Sequence, residues 1–206
     1  MKMKAIFAIF AALLLSACAS GPLIDPEVSS RMVVQEIAVT TPNLSGVSGR
    51  SISVPNNQVQ SDISRALAAR MQGRGMPGGN PVRVDVDVDR VSLVSPGQSL
   101  LIGGVSSVSA TVSVVDLSTG GVLLPETKMT SSSDGWAPGG IVGAASRGSA
   151  QEDYRKTVAS FANTVAQRLL GASAVSGTTA FSDSRSSSTT TAAGDNNALR
   201  PAAWKM

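Results

Sequence analysis

The chain has 206 residues, of which 42% are hydrophobic and 15% are charged. This composition excludes a wholly disordered polyelectrolyte and is sufficient for one folded domain with appended segments. The sequence contains no histidine and a single cysteine, Cys18, which excludes Cys/His zinc sites, histidine-dependent nucleophilic catalysis and an intrachain disulfide. The formal net charge is +3, yet residues 18–171 hold twelve basic and twelve acidic side chains. This balance argues against nucleic acid as a partner.

The N-terminal segment is typical of an export signal. Lys2 and Lys4 precede an apolar run over residues 5–15, which is shorter than the roughly 20 apolar residues that span a membrane but suits a secretory signal. The run ends in Leu15-Ser16-Ala17-Cys18, and this motif resembles the lipobox of bacterial lipoproteins. The resemblance implies cleavage between Ala17 and Cys18 and acylation of Cys18. An ordinary signal peptide with an incidental cysteine is the alternative.

Acylation of Cys18 would make the protein membrane-bound, because two or more acyl chains hold a protein stably on a bilayer. In Gram-negative lipoproteins, an aspartate after the cysteine retains the protein in the inner membrane. The residue at this position is Ala19, so the resemblance implies the outer membrane. We therefore expect a lipid-anchored protein of the outer membrane that faces the periplasm.

The rest of the chain divides into three parts by composition. Residues 18–31 contain two prolines and no hydrophobic period, which predicts a lipidated tether. Residues 32–171 carry the periodic patterns of a folded domain. Residues 172–206 are rich in Ser, Thr, Gly and Ala and predict a disordered tail, because this composition buries too little apolar surface to offset the entropy of ordering.

The folded part begins with a predicted strand over Met32 to Thr40, and the next pattern is helical. Its apolar stripe recurs at helical spacing over Val59, Ile63, Ala66, Leu67 and Met71. Alternating valines over residues 82–88 and 108–114 predict strands with one buried and one solvated face. The alternation changes phase near Asp89-Arg90, which predicts a β-bulge, and residues 122–129 predict a further strand.

A second helix is predicted by its two ends. Ser149-Ala150-Gln151-Glu152 matches a capping box, and Gly171 is a plausible residue at the C-terminal end. The resulting order is β-α-β-β-β-α. This order predicts an α+β fold with a mostly antiparallel sheet and two helices packed on one face.

Asp85, Asp87 and Asp89 have the spacing that opens an EF-hand loop. Arg90 and Pro96 stand where that motif requires Gly and Glu. Because the intervening valines indicate a strand, we expect these carboxylates to line a solvated sheet face. A weak cation site is the alternative, and the sequence predicts neither a metal nor a cofactor.

The sequence offers little for catalysis. Lys128 and Lys156, the lysines of the folded part, lie in no Ser-x-x-Lys motif, and no phosphate-binding loop is present. Paired carboxylates for glycoside hydrolysis remain open, because such partners can be distant in the chain. We expect a protein that is not an enzyme, with an envelope enzyme as the less favoured alternative.

Two glycine-rich segments carry apolar residues that suggest a contact surface. Leu101 and Ile102 lie within residues 96–105, and Trp136 and Ile141 lie within residues 134–147. Apolar side chains among small polar residues can mark a partner contact. The alternative is that they fold back and cap the ends of the structure.

The mature part resembles small α+β envelope lipoproteins of proteobacteria, which include transport-accessory and uncharacterised families. This resemblance covers about 140 residues of element order and generic stretches such as Val114 to Gly120. It implies a non-catalytic accessory or interaction component of a cell-envelope complex, with an envelope protein as partner. The alternative is a periplasmic module that binds a lipid or small molecule between sheet and helices.

Overall fold

A computed structural model describes residues 21–101, 103–133 and 148–171, which form a sheet with helices on one face. The first half contains helix α1 (Pro26–Ser30), strands β1 (Met32–Thr40) and β2 (Val47–Ser48), and helix α2 (Asn56–Met71). The second half contains β3 (Asn80–Ser92), α3 (Pro96–Leu101), β4 (Ser107–Asp116), β5 (Val122–Ser132) and α4 (Ala150–Leu170). The main elements follow the predicted order, and the α+β class is confirmed.

The sheet is mixed but mostly antiparallel. Its strand order is β1-β3-β4-β5, and the short β2 pairs with the end of β3. β1 runs parallel to β3, with α2 as the connection between them, whereas β3, β4 and β5 are antiparallel neighbours. Short turns suit the antiparallel pairs, while the parallel pair requires a crossover segment.

The core lies between the sheet and the two long helices. The alternating valines of β3 are buried, and the pairing with β4 shifts between Val88 and Arg90, which confirms the predicted bulge. After the bulge, Val91 and Leu93 are buried in the new phase. The stripes of α2 and α4 cover this face, and the helices contact each other. Their buried apolar side chains include Ile63, Leu67, Phe161, Val165 and Leu169.

The folded part begins before residue 32, which shortens the predicted tether. Ile24 is buried, and the backbone N–H of Leu23 donates to the carbonyl of Arg168 at 2.8 Å. Asp25 caps α1, because its Oδ1 accepts from the N–H of Glu27 at 2.8 Å. An aspartate followed by proline is a favourable helix start. The predicted signal peptide (1–17) and tail (172–206) lie outside the described residues.

Two segments between the long elements contain short elements that the sequence pattern did not predict. β2 lies within residues 41–55, and α3 lies within residues 96–105. β2 has two residues, so it is too short for a period to be detected. The helix α3 begins at Pro96, a residue that is favourable in a first helical turn.

The two ends of the sheet differ in what they carry. The N-terminal end is formed by residues 21–31, 73–81 and 116–122, where β3 begins beside β1 and α4 ends. The loop end is formed by residues 94–106, 133 and 148–149, where β3 and β5 end and where β4 and α4 begin. β3 has 13 residues, so the two ends are about 40 Å apart at about 3.3 Å per residue.

Candidate functional site

A buried polar cluster lies at the loop end and is formed by Arg50, Ser106 and Asp153. Nη1 of Arg50 lies 3.5 Å from Oδ2 of Asp153. The hydroxyl of Ser106 donates to the same carboxylate oxygen at 3.0 Å and accepts from the backbone N–H of Val94 at 3.1 Å. We refer to Arg50, Ser106 and Asp153 as the loop-end brace.

The loop-end brace connects segments that are distant in sequence. Nη2 of Arg50 donates to the carbonyl of Gly148 at 3.2 Å, and the N–H of Ser133 donates to the carbonyl of Ser106 at 2.7 Å. These contacts hold the end of β5 and the start of α4 against the β3–β4 connection. Ser106 is fully buried and Asp153 is 6% exposed, so a substrate cannot reach them. The arrangement stabilises structure and does not supply a nucleophile.

The loop-end brace was not predictable from the sequence. Asp153 was visible as an acidic residue in the first turn of a helix, a position that a helix dipole favours. Nothing local identified Arg50 or Ser106 as its partners, because both lie far away along the chain. The capping bond beside it was predicted, and the N–H of Glu152 does donate to Oγ of Ser149 at 3.1 Å.

A groove lies on the outer side of the helix layer, between α2 and α4. The hydroxyl of Tyr154 donates to Oδ2 of Asp62 at 3.2 Å, and Oδ1 of Asp62 lies 3.2 Å from Nη1 of Arg65. Burial raises the pKa of Tyr154, and the neighbouring Asp62 carboxylate raises it further. The phenol therefore stays protonated and acts as a hydrogen-bond donor rather than a base. The groove has a volume of about 540 Å³, and Ala66, Ala69 and Arg155 also line it.

The sheet face opposite the helices carries the predicted carboxylates. Oδ1 of Asp85 lies 2.9 Å from Nε of Arg83, and both side chains are about one-third exposed. A shallow cleft of about 310 Å³ runs beside Asp85, Asp87 and Asp89. The described residues contain no group of three or more His, Cys, Asp or Glu side chains that could hold a metal ion. The alternating aspartates lie on the sheet face opposite the buried valines, where they are partly exposed and Asp85 is paired with a guanidinium.

One of the two lysines considered for catalysis forms a surface ion pair. Nζ of Lys156 lies 2.7 Å from Oε1 of Glu152. The hydrogen bond and charge of Lys156 lower the pKa of the Glu152 carboxyl. Lys128 is exposed on β5. Lys156 and Lys128 are therefore solvent-exposed charged residues.

A match to a family model identifies the family of this chain. A family model described as a family of unknown function (DUF6778) matches residues 28–184. The chain belongs to the DUF6778 family. The match includes every strand of the described sheet. A search of the curated proteins gives no match for this DUF6778 chain.

Several solved structures are similar to the DUF6778 chain. A PelC dodecamer from Paraburkholderia phytofirmans is 14% identical, with coverage of 74% of this chain and 95% of that one and a TM-score of 0.33. A candidate lipoprotein from Caulobacter crescentus CB15 is 12% identical, with coverage of 70% and 92% and a TM-score of 0.34. A DUF330 protein from Xanthomonas campestris is 12% identical, with coverage of 77% and 90% and a TM-score of 0.33. These similarities concern the fold alone.

Of the four predicted contact residues of the DUF6778 chain, the structure describes Leu101. Leu101 ends α3 with 83% of its surface exposed, so it does not cap the core. Ile102, Trp136 and Ile141 lie outside the described residues, as do Ala17 and Cys18 of the predicted cleavage and lipidation site. Ser133 and Gly148, which flank residues 134–147, both contact the loop-end brace. The two glycine-rich segments therefore begin and end at the same end of the sheet.

No helix within the described ranges is both long enough and apolar enough to cross a membrane.

Proposed function

We propose that this DUF6778 protein is a lipid-anchored, non-catalytic lipoprotein that serves as an accessory or interaction component of a cell-envelope complex. Acyl chains on Cys18 anchor it in the outer membrane, and the domain faces the periplasm. The lipobox-like motif supports the anchor. Ile24, six residues after Cys18, is already in the core, so this anchor would hold the domain close to the lipid.

The observation that carries the proposal is the separation of the two ends. The chain enters the fold at the N-terminal end, where Leu23 bonds to the last turn of α4. Leu101, Val105 and the residues Ser133 and Gly148 that flank residues 134–147 lie at the loop end, about 40 Å away along β3. A protein anchored through Cys18 therefore presents its loop end away from the lipid, where another envelope protein can reach it.

The loop end has the properties of a contact surface. Leu101 and Val105 are exposed apolar side chains at the loop end, and Val105 directly precedes Ser106 of the loop-end brace. The buried Arg50–Asp153 pair restrains the surrounding backbone, so less conformational freedom is lost when a partner binds. An exposed apolar group on a restrained support suits a protein–protein contact.

Site-specific photo-crosslinking in cells tests this proposal. A photoreactive amino acid replaces Leu101 or Val105 in the full chain, and the matched control carries it at Lys128 on the open sheet face. We expect a discrete protein adduct from Leu101 and Val105 and none from Lys128. Identical adduct patterns at all three positions, or no adduct at the loop end, would overturn the loop end as the contact surface.

A ligand-binding module is the second candidate function, and one groove favours it. The space between sheet and helices, where a ligand was first considered, is filled by core side chains in the described part. The outer groove beside Tyr154 is open instead, and Arg155 on its rim has no hydrogen bond or ion pair with another described residue. Native mass spectrometry of the full chain tests this candidate. A bound small molecule that is lost in Arg155→Ala supports it, and a ligand-free spectrum opposes it.

A further inference from the structure

We propose that the N-terminal end of the domain lies directly on the lipid surface, with four exposed apolar side chains in the headgroup region beside the acylated cysteine. This inference rests on the proposed anchor at Cys18. It specifies which surface of the domain the bilayer covers and how the domain is oriented. The four side chains, which we call the lipid-facing patch, are those of Val28, Met76, Leu117 and Val122.

Exposed apolar side chains concentrate at this end of the fold. Among the described residues, six large hydrophobic side chains are exposed. Two of them, Leu101 and Val105, lie at the loop end, and the other four form the lipid-facing patch. Met76 is 55% exposed and Val122 is 64% exposed. Scattered exposed apolar residues are normal, but a cluster at one end indicates a surface that is covered in the working protein.

Backbone contacts bring the four residues to one end. Met76 is linked to the start of β3, because its carbonyl accepts from the N–H of Gly79 at 2.8 Å. Leu117 is linked there as well, since its N–H donates to the carbonyl of Pro81 at 2.9 Å. Val122 pairs with Val115 on the neighbouring strand. The patch therefore surrounds the first residues of β3.

Val28 extends the patch toward the helix layer. It lies in α1, between the Leu23 bond to α4 and the first strand. The backbone N–H of Asn80 donates to the carbonyl of Arg31 at 2.7 Å, which joins the end of α1 to the start of β3. The patch thus includes residues from both layers of the fold.

The short connection between Cys18 and Ile24 restricts which surface of the domain can contact the bilayer. Five residues connect Cys18 to the buried Ile24, so six Cα–Cα steps separate the two. An extended chain spans at most about 3.6 Å per residue, so Ile24 lies within about 20 Å of the acylated residue. The loop end is about 40 Å from the N-terminal end and lies beyond this reach when the domain stands upright. The surface that this short connection brings to the lipid is the one that carries the lipid-facing patch.

Basic and acidic side chains are both present at this end, so the exposed apolar side chains and not a positive net charge carry the lipid contact. Arg31 is two-thirds exposed, and Arg74 lines a cleft of about 450 Å³ that Ser29, Ser30, Gly75 and Leu170 complete. Basic side chains near a bilayer are attracted to anionic headgroups.

The neighbouring acidic groups have local roles in the fold. Asp25 caps α1, and Glu27 lies 3.7 Å from Arg31. Asp116 accepts from the N–H groups of Ser118 and Thr119 at 2.8 and 3.0 Å. Two of the three carboxylates therefore satisfy backbone donors, and the third is beside a guanidinium.

Single-cysteine labelling of the acylated full chain tests the proposal. Acylation blocks the Cys18 thiol, and the sequence has no other cysteine, so one introduced cysteine can be labelled selectively. Met76→Cys and Val122→Cys probe the lipid-facing patch. Leu101→Cys is the matched control, because it is an exposed apolar residue at the opposite end.

Each variant carries an environment-sensitive fluorophore and is reconstituted into vesicles of phosphatidylethanolamine and phosphatidylglycerol. We expect blue-shifted emission at residues 76 and 122, with quenching by nitroxide-labelled lipids at least about twofold stronger than at residue 101. Water-like emission and equal quenching at all three positions would overturn the lipid-facing patch. A response at residue 101 alone would reverse the orientation and also overturn it.

Failure of the anchor is distinguished by the mass of the purified protein. An unmodified Cys18 means that the proposed anchor is wrong. The same probes in the Cys18→Ser chain, mixed with these vesicles, then decide the surface independently. A blue shift confined to residues 76 and 122 retains the lipid-facing patch without the anchor, and its absence overturns the patch.

Discussion

Arg50 and Asp153 form an ion pair, 3.5 Å between Nη1 and Oδ2, with side chains that are only 16% and 9% exposed. Nη1 of Arg50 has no hydrogen-bond partner in the described structure, so the contact is mainly electrostatic. Loss of one member of a buried pair leaves the other charge desolvated and uncompensated. The pair is therefore a point at which the loop end is sensitive to substitution.

Substitution of Asp153 should destabilise the protein strongly. Asp153→Ala removes the partner of Arg50 and the acceptor of the Ser106 hydroxyl, and we expect the free energy of unfolding to fall by about 3–5 kcal/mol. Urea unfolding of the full chain measures this change. Glu152→Ala is the matched control, because the neighbouring carboxylate is exposed and should contribute little. Equal stability of the two variants would contradict the structural role of the loop-end brace.

Alkaline titration should report on Tyr154, which is the single tyrosine of the sequence. Burial and the Asp62 carboxylate raise its pKa in the folded state, so the unfolded chain loses this proton first. The associated stability is fully present below about pH 10 and declines as the pH rises beyond it. We expect tyrosinate absorbance to appear above the pH seen for the urea-unfolded chain.

Asp62→Asn provides the control for this titration. It removes the negative charge beside the phenol while the burial of Tyr154 remains, so tyrosinate should form at lower pH than in the parent protein. Ionisation of the folded parent at the same pH as the unfolded chain would contradict the contact between Tyr154 and Asp62.

Two leucines should differ sharply in their effect on stability. Leu169 is completely buried, and Leu101 is 83% exposed. Leu169→Ala should lower the free energy of unfolding by about 2–5 kcal/mol, while Leu101→Ala should change it by less than about 0.5 kcal/mol. Chemical denaturation of both variants measures the difference. A large loss of stability in Leu101→Ala would mean that this side chain caps the core after all.

The anchor can be examined with a single substitution. Cys18→Ser removes the thiol that would carry the lipid, so the chain should stay unprocessed or become soluble. Metabolic labelling with palmitate and cell fractionation measure the two effects. Ala19→Ser keeps the cysteine and serves as the matched control. Palmitate incorporation that persists in Cys18→Ser would contradict lipidation at this residue.

Much of the fold was predictable because its signals are local. The valines of residues 82–88 alternate with polar residues, so one face of β3 had to be buried whatever lay above it. The bulge near Arg90 was predicted for the same reason, since the alternation changes phase there. Helices α2 and α4 were recognisable from stripes at helical spacing and, for α4, from the Ser149 cap.

The start of the folded region was less predictable. Ile24 stands alone in a proline-containing stretch, and one apolar residue produces no period. Its burial depends on the last turn of α4, where the carbonyl of Arg168 accepts from Leu23. β2 and α3 were missed because two and six residues are too few for a periodic signal.

Local patterns were enough to predict the α+β class, the long strands and helices and the candidate lipidation site at Cys18, since each depends on residues that are neighbours along the chain. The packing of distant segments was needed to see that Arg50 meets Asp153, that Tyr154 meets Asp62, and that Met76 and Val122 share the end at which the chain enters the fold. The physical reason is the separation of the interacting residues along the chain. Periodicity reflects which face of one element is buried, whereas ion pairs and surface patches depend on how separate elements pack together, and no short stretch of sequence contains that information.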